Sequence, residues 1–341
     1  MDGETLRGLE GQRVKSNKDG FFRISSGNIG KLHKQGADAL TLCAYLVIAC
    51  GTGRDNTTST WSAEAVRKYV GCRPGTAKLA IEKLIEMGCI ALHQERTKPG
   101  RPVYVLLNSS ASTTQEIWLP NALVRGVTDE APYPLATLRE GGDPLRVRLL
   151  LDMYAAHELL DSGGVNAELI QARFNDVEAL GQKNGATAFR FSDGKYSADK
   201  ALSEPHGEHV GGSVPAAFWE RFRTLRSLGF IEEVFVLLDG PGGEPLYCYG
   251  PTEDERASYQ KLRAHALGFF RSRADDLPKG EVLPVPQHIK NPVLQGVLRM
   301  KFRPHTKVTS AWWAQSQQAN AAYLRRFGLL DVMTTDDDFL L

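Results

Sequence analysis

Apolar positions recur at helical spacing through most of this chain, and the clearest run lies between Trp61 and Leu107. Ser62 is a helix-start residue, with Ala65, Val66, Tyr69 and Val70 forming one apolar stripe behind it. Gly71 ends that helix. Pro74 stands near the start of a second one, where a missing N–H is tolerated. Ala77, Ala80, Ile81 and Leu84 give the second helix its buried stripe and leave Lys78, Glu82 and Lys83 toward solvent. Gly88 closes it, Cys89 and Ile90 open a strand, and Val103, Val105 and Leu107 resume a strand pattern after the turn at Pro99-Gly100.

Upstream, residues 20–29 read as a short strand running into a helix, and residues 38–50 as an amphipathic-to-buried core helix that stands behind the helix pair. The polar segment GTGRDNTTST then leads to Trp61, and SSASTTQ follows the strand pair as a linker. Downstream, residues 116–126 repeat the character of the opening, a short strand and then LPNAL, and residues 143–160 form another long apolar helix. GGVNAELIQARF reads as a short helix, and a stretch rich in Gly, Ser, Lys and Asp follows over residues 181–212. The segment from Val214 to Gly250 then shows helix, Gly229, strand, a turn at Gly240–Gly243 and strand. A helix is expected over residues 253–273, and the Pro-spaced LPKGEVLPVPQHIKNPVLQ should be extended and irregular. The junction of helix, Gly and two apolar residues occurs at Gly88, Gly229 and Gly328, which points to an internal duplication.

The segment TAKLAIEKLIEMGCI resembles the recognition-helix region of GntR-like regulators, and the wider stretch resembles a winged helix-turn-helix. That resemblance implies a second helix in the major groove and a hairpin on the flanking backbone. With the Gly229 junction, the fold class expected is mainly α with small β hairpins, as tandem winged-helix domains plus a helical C-terminal region. The division expected is a flexible N-terminus to residue 20 and a winged domain over 21–108. A second such domain follows over 109–252 with an insertion at 181–212, then a mostly helical region over 253–333 and an acidic tail over 334–341.

Charge adds a distinction that periodicity does not. Residues 1–108 hold 16 Lys/Arg against 10 Asp/Glu, residues 109–250 hold 12 against 20, and residues 251–341 hold 13 against 10. The basic surplus therefore sits with the first hairpin, where a polyanion would be met. Arg73, Thr76, Lys78 and Lys83 surround the second helix, and Gln94, Arg96, Lys98 and Arg101 surround the wing. Lys and Arg supply phosphate contacts, Thr76 can donate to a phosphate, and Arg or Gln can read base edges. The same positions on a docking module would only solvate a surface. The second hairpin carries Asp239 and Glu244 and no basic residue, so dimerisation or domain packing competes with DNA contact there, although Arg221, Arg223 and Arg226 precede it. Phe218, Trp219 and Phe222 read as core. In LRMKFRPHTKV, Arg299, Lys301, Arg303 and Lys307 would share one face of an extended chain, either as a ridge along a DNA backbone or as a solvated edge strand.

The tail DDDFLL resembles in character the acidic-aromatic tips of bacterial single-stranded-DNA-binding proteins, which dock protein partners; a terminus that stays off nucleic acid is the plainer account. His206 and His209 lack the further ligands a metal site needs. There is no P-loop, GxSxG or HExxH, so neither an enzyme nor a cofactor is expected. Five cysteines without CxxC spacing fit a reduced, cytoplasmic, nucleoid-associated protein, and the longest apolar run is too short for a bilayer. The function these features lead to is sequence-specific binding of double-stranded DNA as a transcriptional regulator, possible as a homodimer. A replication initiator of a plasmid or mobile element, which resembles this chain only in architecture, and a winged-helix interaction scaffold are the alternatives.

Overall fold

The computed structural model describes residues 20–94, 98, 102–107, 115–128, 130–157, 164–269, 279–303 and 307–330. The chain divides into two compact units, Met1–Leu151 with Phe302–His305, and Asp152–Lys301 with Thr306–Leu341.

In the first unit, β1 (Phe21–Ser25) leads into α1 (Ser26–Lys34), and α2 (Ala39–Cys50) forms the centre. Every residue of α2 except Leu40 is buried, as its apolar composition on all sides requires. Asp38 caps it by accepting from Thr41 N at 2.7 Å. Around α2 stand β2 (Thr58–Ser59), α3 (Ala63–Val70), α4 (Pro74–Glu86), β3 (Ile90–Leu92) and β4 (Tyr104–Leu106), and the three strands form an antiparallel sheet in the order β2-β4-β3. β5 (Glu116–Pro120) then pairs antiparallel with β1, Phe22 opposite Leu119 and Ile24 opposite Ile117, all four buried. The two segments that look alike in sequence are therefore partners in one ribbon. α5 (Ala122–Arg125), α6 (Pro134–Arg139) and α7 (Pro144–Ala155) follow. Arg139 of α6 donates to Val70 O and Gly71 O, both at 3.1 Å, and so meets carbonyls that α3 leaves open at its C-terminus. The expected domain boundary at residue 108 thus falls inside a unit whose later helices brace its earlier ones.

The second unit corrects the expected fold class. It is built on a six-stranded antiparallel sheet, order β10-β7-β6-β11-β8-β9, so the protein is α+β and not a mainly α tandem of winged domains. β6 (Ile170–Lys183) and β7 (Ala186–Ala198) make a long hairpin through residues where a short helix and an insertion are expected. The short α8 (Lys200–Ser203), a 3-10 turn over Glu204–His206 and α9 (Ala216–Ser227) precede β8 (Ile231–Leu238) and β9 (Pro245–Tyr249). α10 (Glu253–Leu267) is followed by β10 (Glu281–Pro286), β11 (Val293–Met300) and α11 (Lys307–Arg326). The region expected to be mostly helical therefore supplies two strands of the sheet.

Its Pro spacing makes physical sense at the edge. Pro284 and Pro286 lack the N–H of an interior strand, and β10 is an edge strand with only β7 beside it. The opposite edge, β9, is closed by a side chain. Asn320 of α11 accepts from Cys248 N at 2.7 Å and donates to Cys248 O at 2.6 Å, so its amide satisfies the strand's outward backbone. β6 meets β11 through Arg173 opposite Gln295 and Ala172 opposite Gly296. A Cβ on Gly296 would lie 2.8 Å from Ala172 Cβ and 3.0 Å from Glu233 Oε1, so the close approach of these strands requires glycine there. Phe189, Phe191, Leu237, Tyr247, Leu283 and Leu294 are among the side chains that fill the core between the sheet and α10 and α11.

Candidate nucleic-acid interface

α3 and α4 are set by local chemistry. Ser62 accepts from Glu64 N at 3.4 Å, Gly71 takes φ +66° at the end of α3, and Pro74 occupies the first turn of α4. Val66 and Val70 of α3, and Ala77, Ala80, Ile81 and Leu84 of α4, are buried. The core-facing stripes lie on the positions that the spacing marks.

The loop before α3 is equally well defined. Asp55 Oδ1 accepts from the amides of Thr57 and Thr58, both at 3.1 Å. The Thr58 hydroxyl and these amides hold the Asp55 carboxyl below the ordinary carboxylate range. Trp61 packs on Gly51, where a Cβ would meet its ring carbon at 2.3 Å, and stacks on Tyr69 with centroids 5.0 Å apart. The Arg125 guanidinium covers the Trp61 ring at 4.9 Å. The start of α3 is therefore pinned by packing.

Of the candidate contact residues, Arg73, Thr76 and Lys78 are exposed together around the first half of α4. Lys83 is exposed near the end of the helix, but its Nζ lies 2.9 Å from Asp38 Oδ2 in an ion pair. Gln94 and Lys98 are exposed beyond β3. Arg96 and Arg101 lie outside the described residues, as does the acidic tail.

One feature of α4 departs from the expected picture. At 3.6 residues per turn, the positions opposite the buried stripe are Gly75, Leu79, Glu82 and Glu86. All four are exposed, Leu79 to 58%. The crest of the helix is thus apolar and acidic, with Thr76 and Lys78 on its flanks. The spacing of 79, 82 and 86 against 77, 80, 81 and 84 carries this signal in the sequence, whereas the basic residues alone do not.

The basic row 299–307 is not brought together. β11 ends at Met300, and Arg299 is only 3% exposed, with Glu232 opposite it across β8. Lys301 is exposed, Arg303 is half-buried, and only the backbone of Lys307 is described, at the start of α11. The alternation needed for a common face fails because the strand stops after Met300. In the second hairpin, Asp239 Oδ1 accepts from Glu244 N at 2.9 Å, which ties the acidic turn to its own backbone.

Phe218 and Phe222 are buried, and His206 packs edge-on against Phe218. His209 Nε2 lies 3.0 Å from Ser203 Oγ. Among the described residues, no group of three or more His, Cys, Asp or Glu is gathered as a metal would need, and no helix is long and apolar enough to cross a membrane. All five cysteines are free; burial pushes the Cys43 thiol up to about 12 and those of Cys50 and Cys248 up to about 11. None of the protein-family models, curated proteins or solved structures compared with the chain matches it.

Proposed function

We propose that the first unit binds double-stranded DNA as a winged helix-turn-helix, with α4 in the major groove, and that the protein is a sequence-specific DNA-binding regulator. The observation that carries this reading is the element order α2-β2-α3-α4-β3-β4 with strand order β2-β4-β3, which leaves α4 solvent-facing beside a hairpin. The exposed Arg73, Thr76 and Lys78 support it, as does the surplus of six positive charges over residues 1–108. In this arrangement Arg73 and Lys78 hold phosphates on either side of the groove, and Thr76 donates to a third near the start of the helix.

Titration of random-sequence and selected duplexes at several salt concentrations tests the reading. With about six phosphate contacts, log affinity falls with log salt at a slope of roughly −5. Arg73→Ala with Lys78→Ala reduces that slope by about 2 and weakens binding to all duplexes alike. A full-length protein with no salt-sensitive duplex binding would sink the proposal.

One observation favours a second reading, a protein-docking module. Leu79 stands exposed on the same face of α4 as Glu82 and Glu86, beside a groove of about 320 Å³ lined also by Asp38 and Leu40. If Leu79→Ala leaves duplex affinity unchanged and changes the oligomeric state, the docking reading takes precedence.

A further inference from the structure

α4 carries a glycine on its exposed side where the fold does not require one. Gly75 stands in the first turn of the helix and is exposed. A Cβ there would meet no outside atom within 4 Å, and its φ is not in the left-handed region. Glycine in a helix is less stable than alanine, because it gives up more backbone freedom on folding. What it leaves open is a bare backbone that a ligand can approach closely. No side chain caps α4, so the amides of its first turn also stay open to an outside acceptor.

The side chains that follow Gly75 along the same crest are Leu79 and Glu82. Leu79 is more than half exposed, and Glu82 is exposed with no hydrogen bond or ion pair among the described residues. They lie three residues apart, about 4.5 Å along the helix axis. That is close to one base step, about 3.4 Å. Recognition helices present their N-terminal residues to the bases, so a crest from Gly75 to Glu82 reaches them and Glu86, at the end of α4, does not.

Each of the two side chains has a complementary group in the major groove. An apolar side chain packs on the thymine 5-methyl, and a carboxylate accepts from the cytosine N4 amino group. Guanine presents only acceptors there, and adenine sets its N7 acceptor beside the N6 donor. Over either purine a carboxylate among phosphates lacks a clean partner, which costs affinity.

We propose that Gly75, Leu79 and Glu82 select duplexes in which a thymine and a cytosine stand on neighbouring base steps. Gly75 lets the helix approach closely, Leu79 covers the thymine methyl, and Glu82 accepts from the cytosine amino group. The proposal rests on the DNA reading of the first unit, and it adds the residues that set sequence to those that hold phosphates.

The test is selection of a preferred duplex from a random pool by the full-length protein, followed by affinity measurements at several salt concentrations. The selected site should contain both bases. Uracil in place of the thymine deletes only the methyl and should weaken binding about fourfold, the effect of one buried methyl. Leu79→Ala should lose that difference and keep the salt slope. Glu82→Gln should move the preference at the cytosine position to adenine, whose N6 and N7 an amide meets together. Gly75→Ala should raise the midpoint of thermal unfolding yet weaken the selected duplex about fivefold or more. A glycine with a merely structural role would not separate those two readouts. All three residues are exposed, so their replacement does not threaten the fold. Four outcomes would each overturn the proposal and leave the DNA reading standing: uracil without effect, equal sensitivity to uracil in Leu79→Ala, an unchanged site for Glu82→Gln, or full affinity in Gly75→Ala. A wild-type protein without salt-sensitive duplex binding would overturn both.

Discussion

At the end of α4, Gly88 N donates to Ile85 O and Cys89 N to Leu84 O; at the end of α9, Gly229 N donates to Arg226 O and Phe230 N to Leu225 O. The two glycines have φ of +62° and +74°. This is the same Schellman cap, built from the same kind of sequence. The chain then does different things. After Gly88 it makes a three-residue strand, β3, in the small sheet of the first unit. After Gly229 it makes an eight-residue strand, β8, held between β11 and β9. The cap is a local structure that five or six residues determine. Where the following strand goes depends on which distant strand waits beside it. The difference shows why a repeated helix-Gly-apolar junction establishes a shared way of ending helices and does not establish a duplicated domain.

The largest effects should come from the cores behind the two caps. Phe222 of α9 is 1% exposed and Leu84 of α4 is 0% exposed. Phe222→Ala should destabilise the second unit by about 3–5 kcal/mol, and Leu84→Ala the first by about 2–5 kcal/mol. Denaturant unfolding monitored by fluorescence measures both. At a temperature where both variants remain folded, duplex affinity should change less than about twofold in Phe222→Ala, since the proposed contacts lie in the first unit. A large loss of DNA binding in that variant would break the contrast between the units.

The sequence was informative where structure is local. Ser62, Gly71, Pro74 and Gly88 mark the ends of α3 and α4 because caps and turns depend on residue type within a few positions. The buried α2 was legible too, from its long run of apolar residues. The six-stranded sheet was not. β6 is exposed at most positions from Arg173 to Lys183, so it carries no sustained alternation of apolar and polar residues. Its partner β7 is buried at Ala186, Thr187, Ala188 and Phe189 in succession, which is no alternation either. β11 pairs with β8 from about 60 residues earlier in the chain, Val297 opposite Val234, and only tertiary packing fixes that register. The candidate site divides along the same line. Which residues of α4 face outward follows from helical spacing, whereas the burial of Arg299 follows from its place in a sheet.

An intermediate effect tests whether the two caps are equivalent. Gly88→Ala and Gly229→Ala each place a side chain at positive φ, which costs roughly 1–2 kcal/mol. The nearest outside atom to a Cβ at Gly88 is Lys31 Nζ at 3.0 Å, and at Gly229 it is Lys301 Nζ at 3.7 Å. Both neighbours are ends of flexible side chains, so backbone conformation should dominate and the two costs should agree within about 0.5 kcal/mol. Gly→Asn at either site should recover part of the loss, because Asn tolerates the left-handed region. Costs that differ by more than about 1 kcal/mol would mean that the surroundings, and not the shared cap, set the stability of each junction.

The smallest effect concerns Lys83, which the first unit holds in an ion pair with Asp38. Burial would raise the Asp38 carboxyl, but the Thr41 amide and the Lys83 ammonium outweigh it, so its value is lowered on folding. A carboxyl lowered in the folded state contributes stability above its unfolded value, near pH 4, and that stability is lost as pH falls through the folded value. Both side chains are about half exposed, so screening limits the pair to about 0.5 kcal/mol. Asp38→Asn keeps a capping oxygen and removes the charge; it should cost that amount at neutral pH, and progressively less as pH falls through the lowered folded value or as salt rises. Asp38→Ala also removes the cap and should cost about 1 kcal/mol more. If Lys83 serves the fold of the first unit, releasing it in Asp38→Asn should change duplex affinity less than about twofold, and the loss of the ion pair should appear only in stability. A rise in affinity with a steeper salt slope would return Lys83 to the DNA-contacting set, with Asp38 as the residue that restrains it.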